Sequence, residues 1–221
     1  GNTFGAREWT DGRVSAPMLP DVPPITRCDH CGEFVWAEEL SEVAQIDPLD
    51  LQLDPLPSHR RISNHLPRRR PTELPPPARF LNTLEYLEAL VEGCFRDADE
   101  EKILRLELWR SHNDRFRLNF TRYTRHRPAP PDTSALPEPL LRANLKRLAV
   151  LLDEPCESPL YPEARHWLLK AEVARALGDF DQALHYLERD FPREFQSAAE
   201  LLRQLCAAGD TQVHEFQLEE A

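Results

Sequence analysis

The chain has 221 residues, of which 41% are hydrophobic, and its formal net charge is −11. This length fits one domain, or one domain with a substantial appendage, because domains usually hold roughly 100 to 200 residues. The negative charge disfavours non-specific attraction to nucleic acid or to an anionic membrane, so such binding would require a local basic patch.

The expected compartment follows from cysteine number and apolar run length. Five cysteines are an odd number, no apolar leader follows the amino terminus, and no run approaches the ~20 apolar residues needed to cross a bilayer. We therefore expect a reduced, soluble, cytoplasmic protein.

Proline dominates the first part of the chain. The sequence holds 21 prolines against 7 glycines, which favours rigid connections over tight hairpins. Proline recurs so often in residues 48–77 that neither a helix nor a central strand can persist there. We expect residues 1–77 to form an extended arm that packs on a helical body. The expected apolar anchors of this arm are Trp9, Met18, Leu19, Phe34 and Trp36.

Two cysteines in this arm have the spacing of a zinc knuckle. Cys28 and Cys31 stand two residues apart, and Gly32 permits a sharp turn beneath their sulfurs. A structural zinc needs four ligands, and His59 and His65 are the best pair to complete the site. The alternatives are a knuckle without metal and a redox pair; the proline-rich approach argues against the redox pair, since reactive cysteines usually start a helix after a strand.

Helical patterns begin at residue 78 and predict a body over residues 78–221. Asp97 followed by Glu100 predicts the amino-terminal cap of a second helix. The first helix is predicted from apolar residues at alternating steps of four and three. These residues are Phe80, Leu84, Leu87, Val91 and Cys94.

Residues 115–125, "RFRLNFTRYTR", fit two patterns. Alternation through Phe116, Leu118 and Phe120 fits a strand, whereas Phe116, Phe120 and Tyr123 fit a helix. We favour a continuation of the second helix.

Arginines cluster in residues 59–71 and 110–127, and the second cluster is interleaved with aromatic residues. Arginine and aromatic side chains together can hold phosphate and stack bases. The interpretation we favour is that these arginines pair with the many carboxylates of the protein. The candidate nucleic-acid patch comprises Arg68, Arg69, Arg70, Arg115, Arg117, Phe120, Arg122, Tyr123 and Arg125.

The carboxy-terminal part predicts further helices after a proline-rich connection at residues 127–139. A stripe of leucines predicts one helix, and three more helical segments are separated at Gly178 and near Pro192. The sequence thus predicts a mainly α fold, a bundle of about six helices. The stripe consists of Leu141, Leu145, Leu148 and Leu152.

Residues 163–189 carry the sharpest pattern. Gly178 permits a reversal between two antiparallel helices, and Asp179 with Gln182 predicts the cap of the second. The pattern resembles one tetratricopeptide repeat, although Phe195 stands where that family usually has proline. The hairpin either lines an open peptide-binding groove or is ordinary helical packing. Its inward residues are predicted to be Trp167, Ala171, Ala174, Phe180, Ala183 and Leu187.

Both ends of the chain also resemble one bacterial family. The segments WTDG (9–12), APMLP (16–20), CDHC (28–31) and FVW (34–36) are similar to the amino-terminal block of uncharacterised bacterial proteins with helical, tetratricopeptide-like carboxy-terminal halves. The resemblance implies an architecture and a bacterial source, and it implies no activity.

The sequence contains no glycine-rich phosphate loop, no G-x-S-x-G elbow and no H-E-x-x-H helix. We therefore expect a non-enzymatic interaction or scaffold protein that binds another protein or a peptide and can form a homodimer. RNA binding through the arginine clusters is the alternative. A metal-dependent or redox enzyme that uses the two knuckle cysteines is the third hypothesis.

Overall fold

A computed structural model describes residues 6–16, 21–40, 78–117, 122–123, 128–129, 134–154 and 162–216. Within these ranges the protein is mainly helical, as predicted, with six α-helices. The helices are α1 (Thr83–Glu92), α2 (Ala98–Asn113), α3 (Glu138–Asp153), α4 (Glu163–Ala176), α5 (Phe180–Tyr186) and α6 (Arg193–Ala207). No helix of the described ranges is long and apolar enough to span a membrane.

Short antiparallel strands accompany the helices. The strands are β1 (Arg7–Trp9), β2 (Val14–Ser15), β3 (Ile25–Arg27), β4 (Phe34–Trp36), β5 (Arg122–Tyr123), β6 (Pro128–Ala129) and β7 (Glu215–Phe216). β2, β1 and β7 form a three-stranded sheet in that order, so that a strand near the amino terminus pairs with one near the carboxy terminus. β3 pairs with β4, and β5 with β6.

The two hairpins correct the prediction of extended connections without tight turns. Residues 7–15 and 25–36 each reverse direction, and Gly12 and Gly32 supply the left-handed backbone conformation at the two turns, with φ of 72° and 78°. Residues 41–77, which include the most proline-rich part of the predicted arm, lie outside the described ranges.

The amino-terminal hairpins share cores with the helices. Ile25 and Trp36 are buried in one apolar cluster with Tyr86 of α1 and Leu104 of α2. Trp9 is also buried, at 2% exposure. The predicted anchors Trp9 and Trp36 therefore pack as expected.

The buried face of α1 differs from the prediction. Leu84 and Val91 are 57% and 79% exposed, whereas Thr83, Tyr86 and Ala89 are buried. The Thr83 hydroxyl lies 3.0 Å from the Ser111 hydroxyl of α2. Thr83 thus faces α2, although a polar residue contributes nothing to a hydrophobic pattern.

The favoured helical continuation after α2 is wrong. α2 ends at Asn113, a 3₁₀ turn follows at Asp114–Phe116, and Arg122–Tyr123 forms β5, paired with Pro128–Ala129. The Asp97 cap predicted for the start of α2 is confirmed, since its side chain accepts a hydrogen bond of 2.9 Å from the Glu100 amide.

The α4–α5 pair forms the predicted hairpin of adjacent helices. Gly178 follows α4 with φ of 81°, and the Asp179 side chain accepts from the Gln182 amide at 3.2 Å. Ala171 and Ala183 are buried at 1% and 0% exposure, so their small side chains lie inside the hairpin as predicted.

Candidate functional site

The WTDG segment forms the turn between β1 and β2. The Trp9 amide donates to the Arg13 carbonyl at 2.9 Å, and the Gly12 amide donates to the Trp9 carbonyl at 2.8 Å. The Asp11 carboxylate accepts from the Arg13 amide at 3.1 Å. These local bonds turn the Asp11 side chain towards the helices.

Asp11 is the centre of a buried ionic network. Its carboxylate accepts from the Arg117 guanidinium and, at 3.0 Å, from the Asn113 amide group. Arg110 donates to the Asp11 carbonyl at 3.1 Å and to the Gly12 carbonyl at 2.9 Å. Burial acts to raise the pKa of the Asp11 carboxyl, but Arg117 and Arg110 outweigh burial, and the pKa lies below its usual range.

Further ion pairs complete the charge balance of this network. Arg13 donates to Glu107 at 2.9 Å, and Arg117 also pairs with Asp114. Three guanidinium groups therefore face three carboxylates, because Arg110 also pairs with Glu107 at 3.0 Å. A guanidinium or a carboxylate of this network would not be stable here without its partner, since an unpaired buried charge is strongly disfavoured.

One face of α4 contacts the same amino-terminal hairpin. Arg165 pairs with Glu8 of β1, and the Thr10 hydroxyl donates to Glu172 at 2.6 Å. Arg175 holds Glu172 through two hydrogen bonds of 2.7 Å and donates to the Gln212 carbonyl, also at 2.7 Å. We call this face, residues 165, 168, 172 and 175, the inner face of α4.

The inner face of α4 is partly covered by the amino-terminal hairpin. A cavity of about 40 Å³ remains beside Trp9, Leu168 and Phe195, more than the ~10–15 Å³ that one water molecule needs. On this face the α4–α5 hairpin packs against the amino-terminal hairpin. This contact favours ordinary packing over an open peptide-binding groove.

Four residues of the predicted nucleic-acid patch lie in the described ranges. Arg117 was predicted to contact phosphate, but its side chain is 0% exposed and pairs with Asp11 and Asp114, so its place in the patch is wrong. Arg115 is exposed, and its guanidinium lies 4.4 Å from the Phe116 ring centre. Of the others, Arg122 and Tyr123 form β5. Arg68, Arg69, Arg70, Phe120 and Arg125 lie outside the described ranges.

The favoured interpretation of the second arginine cluster is confirmed for Arg110 and Arg117, which pair with carboxylates. These pairs are buried. His112 lies in the same stretch and accepts from the Leu136 amide through Nδ1 at 2.9 Å. Burial, assisted by the charge of Arg115, lowers the pKa of His112 from 6.5 to about 4.

The cysteine knuckle lies at the turn of the β3–β4 hairpin. The Cys28 amide donates to the Glu33 carbonyl, and the Gly32 amide donates to the Cys28 carbonyl, both at 2.8 Å. Cys28 is half-buried and Cys31 is exposed. His59 and His65 lie outside the described ranges, and within those ranges no three His, Cys, Asp or Glu side chains converge on a possible metal position.

A second candidate surface on the α4–α5 hairpin carries two aromatic rings. Trp167 and Tyr186 have ring centres 5.9 Å apart. The Arg189 guanidinium lies 3.4 Å from the Trp167 ring centre, and the Lys170 ammonium lies 4.6 Å from Trp167 and 4.7 Å from Tyr186. Two cations thus flank a pair of aromatic rings.

An apolar groove continues from these rings between α3, α4 and α5. Its volume is about 100 Å³, space for a few water molecules or roughly one aliphatic side chain. We call this groove together with Trp167 and Arg189 the α3–α5 surface. The groove is lined by the apolar residues Ala149, Leu152, Val173, Ala174 and Leu177, by Tyr186, and by the polar residues Lys170, Asp179 and Gln182.

Comparison with known proteins gives no relative from which a role could be transferred: no family model, no curated protein and no solved structure matches the chain. The resemblances to a bacterial family and to a tetratricopeptide repeat stay predictions.

Sequence reasoning missed both the ionic network and the α3–α5 surface. Asp11 and Arg117 are 106 positions apart, so no local spacing indicates their pairing. A signal did exist for the surface, because Trp167 and Lys170 are one helical turn apart, but the pattern assigned Trp167 to the interior of the hairpin.

Proposed function

We propose that this protein is a non-enzymatic interaction scaffold that binds an acidic protein segment on its α3–α5 surface. The observation that carries the proposal is the apolar groove beside a pair of aromatic rings flanked by Lys170 and Arg189. Small apolar pockets beside a few placed polar groups are the usual form of recognition sites.

Charge supports an acidic partner. Arg189 is exposed and makes no ion pair with any described carboxylate. Lys170 pairs with Asp153, whose side chain is 59% exposed, so a partner carboxylate can replace Asp153 at modest cost. The groove then receives one aliphatic side chain of the partner, while a carboxylate contacts Arg189.

The ionic network supports a scaffold role in a different way. Its arginines and carboxylates are buried and bind one another or backbone carbonyls. They hold the amino-terminal hairpin on α2, and Glu8 and Thr10 hold it on α4, the helix that also supplies Val173 and Leu177 to the groove. Rigid surfaces lose less conformational entropy on binding.

A displayed library of random peptides tests this function. We expect the wild-type protein to enrich peptides that combine Asp or Glu with Leu, Ile or Val. Tyr186→Ala is expected to weaken the best peptide by about 30-fold, the effect of a ~2 kcal/mol contact residue. Arg189→Glu is expected to weaken it by about 5-fold, with a steeper loss in low salt.

Arg142→Glu is the matched control, because Arg142 is an exposed arginine on α3 that does not line the groove. It is expected to bind the selected peptides as the wild type does. Selected peptides that bind all four proteins equally, or a library without enrichment, would contradict the proposal.

RNA binding stays a prediction for Arg115, Arg122, Tyr123 and the patch residues outside the described ranges. It predicts an affinity that falls steeply with salt, because binding releases counterions from the phosphates. Fluorescence anisotropy with a labelled single-stranded RNA at low salt separates this function from peptide binding, since Tyr186→Ala leaves RNA affinity unchanged and Arg115→Ala lowers it.

A further inference from the structure

The WTDG turn lines a cavity that shares no residue with the α3–α5 surface. This cavity has a volume of about 40 Å³, and Trp9, Thr10 and Gly12 of the turn contribute to its wall. Buried side chains of α4 and α6, among them Leu168 and Ala198, supply further apolar wall. We call it the Trp9 cavity. It lies where the amino-terminal hairpin meets two helices of the carboxy-terminal part.

The Trp9 cavity has room for a branched aliphatic group. One water molecule needs ~10–15 Å³ of such space, so the cavity holds about three or four non-hydrogen atoms. The side chains of valine and leucine have this size, whereas a phenyl ring is larger. Trp9, Leu168 and Ala198 offer an aliphatic group contact without a lost hydrogen bond, which favours it over water in the same space.

Two charged side chains at the Trp9 cavity can still bind a ligand. Of the four charged residues that line it, Arg110 pairs with Glu107 at 3.0 Å. Arg165 pairs with Glu8 and is 33% exposed; this bond uses one N–H group, and a guanidinium has five. Glu194 is exposed and makes no hydrogen bond or ion pair with another residue of the described ranges. The wall thus offers one guanidinium and one carboxylate.

A guanidinium and a carboxylate beside an apolar cavity match a zwitterion. An α-amino acid has a carboxylate, which accepts two parallel hydrogen bonds from a guanidinium, and an ammonium group, which donates to a carboxylate. A ligand with only one of these groups adds a net charge beside the Arg165–Glu8 pair and leaves either Arg165 or Glu194 without a partner. Charge and size together therefore favour an aliphatic amino acid.

We propose that the Trp9 cavity binds a free aliphatic α-amino acid of the size of valine or leucine, a function independent of peptide binding. Its side chain packs against Trp9 and Ala198. Its carboxylate accepts from Arg165, and its ammonium group donates to Glu194. Because the cavity lies between the amino-terminal hairpin and the helices, the bound amino acid stabilises their packing by mass action.

The test measures ligand binding to the full-length chain by isothermal titration calorimetry and by the melting temperature. L-valine, L-leucine and L-isoleucine are the probes, and we expect at least one of them to bind saturably below ~10 mM and to raise the melting temperature. Glycine, L-phenylalanine, 3-methylbutanoate and isobutylamine are expected to bind at least about 10-fold more weakly. The last two compounds are valine without its amino group and valine without its carboxyl group.

Two substitutions test the assigned positions. Ala198→Leu fills the cavity and is expected to lower the affinity by at least about 30-fold. Its matched control is Ala207→Leu, because Ala207 is exposed on the same helix and does not line the cavity. Glu194→Gln changes an exposed side chain, so the fold is kept, and it is expected to weaken binding by about 10-fold.

Three results would overturn the proposal. One is the absence of saturable binding for all three aliphatic amino acids up to ~10 mM. Another is an affinity for 3-methylbutanoate or isobutylamine equal to that for valine, since the zwitterion would then not be recognised. The third is unchanged affinity in folded Ala198→Leu and in Glu194→Gln.

Discussion

Substitution of Asp11 by asparagine tests the ionic network at its centre. The Asp11 side chain is fully buried and faces the guanidinium of Arg117, while Asn113 donates to it at 3.0 Å. Asparagine keeps the shape but removes the charge, so three buried guanidinium groups are left with two carboxylates. The amide group of asparagine also brings two donors towards partners that are themselves donors.

The expected loss in the free energy of unfolding follows from the burial of the guanidinium charge that remains. Removing one partner of a buried ion pair costs about 3 to 5 kcal/mol, because the other charge stays in a medium of low polarity. A domain of this size has a total free energy of unfolding of about 5 to 15 kcal/mol. The Asp11→Asn protein is therefore expected to fold but to unfold at much lower urea concentration.

Urea unfolding followed by tryptophan fluorescence measures this loss, since Trp9, Trp36 and Trp109 are all buried. Glu200→Gln is the matched control: Glu200 is 60% exposed and pairs at 3.4 Å with Arg203, which is 39% exposed, so its substitution is expected to cost less than about 1 kcal/mol. A loss below about 1 kcal/mol for Asp11→Asn would refute the assignment of the network as the main attachment of the hairpin.

Three further predictions concern the turn, the histidine and the predicted ligands. Gly12→Ala is expected to cost about 1 to 3 kcal/mol in urea unfolding, because φ is 72° and the added methyl would lie 2.9 Å from an Arg110 nitrogen. Since the pKa of His112 is lowered to about 4, the stability that its neutral ring contributes is complete above pH 6.5 and is lost as pH falls; we expect a loss of about 1 to 2 kcal/mol between pH 6.5 and 5 that His112→Asn lacks. Joint replacement of His59 and His65 by alanine is expected to abolish zinc binding if they complete the knuckle, whereas retained zinc in elemental analysis would assign other ligands.

Local signals in the sequence predicted helix starts and turns well. Asp97 and Asp179 cap α2 and α5 because such caps depend on residues three positions away. Gly178 ends α4 for the same local reason. These elements need no knowledge of the rest of the chain.

Predictions that depended on distant neighbours were less successful. The apolar spacing of α1 pointed to Leu84 and Val91, but the buried residues of α1 are Thr83, Tyr86 and Ala89. Thr83 gives no hydrophobic signal in the sequence. The partners of Arg117 could not be predicted either, since Asp11 belongs to a hairpin about a hundred residues earlier.

The same difference between local signals and distant neighbours applies to the two candidate sites. The Cys28 and Cys31 pair was visible in the sequence because the knuckle is a local motif. The α3–α5 surface was not visible in the sequence, since its groove combines side chains of three helices. In the sequence these residues resemble ordinary core residues, and only their burial in the structure distinguishes the two.

A chain that begins at residue 78 tests most directly whether the amino-terminal hairpins and the helices form one folding unit. Deletion of residues 1–77 exposes the apolar surfaces that Trp9, Ile25 and Trp36 cover. Burial of each such side chain contributes roughly 1.5 to 3 kcal/mol to the free energy of unfolding. The deletion also leaves Arg117 without Asp11. We predict a lowered melting temperature with loss of a cooperative transition and a tendency to aggregate; a monomeric protein with the melting temperature of the full chain would contradict this.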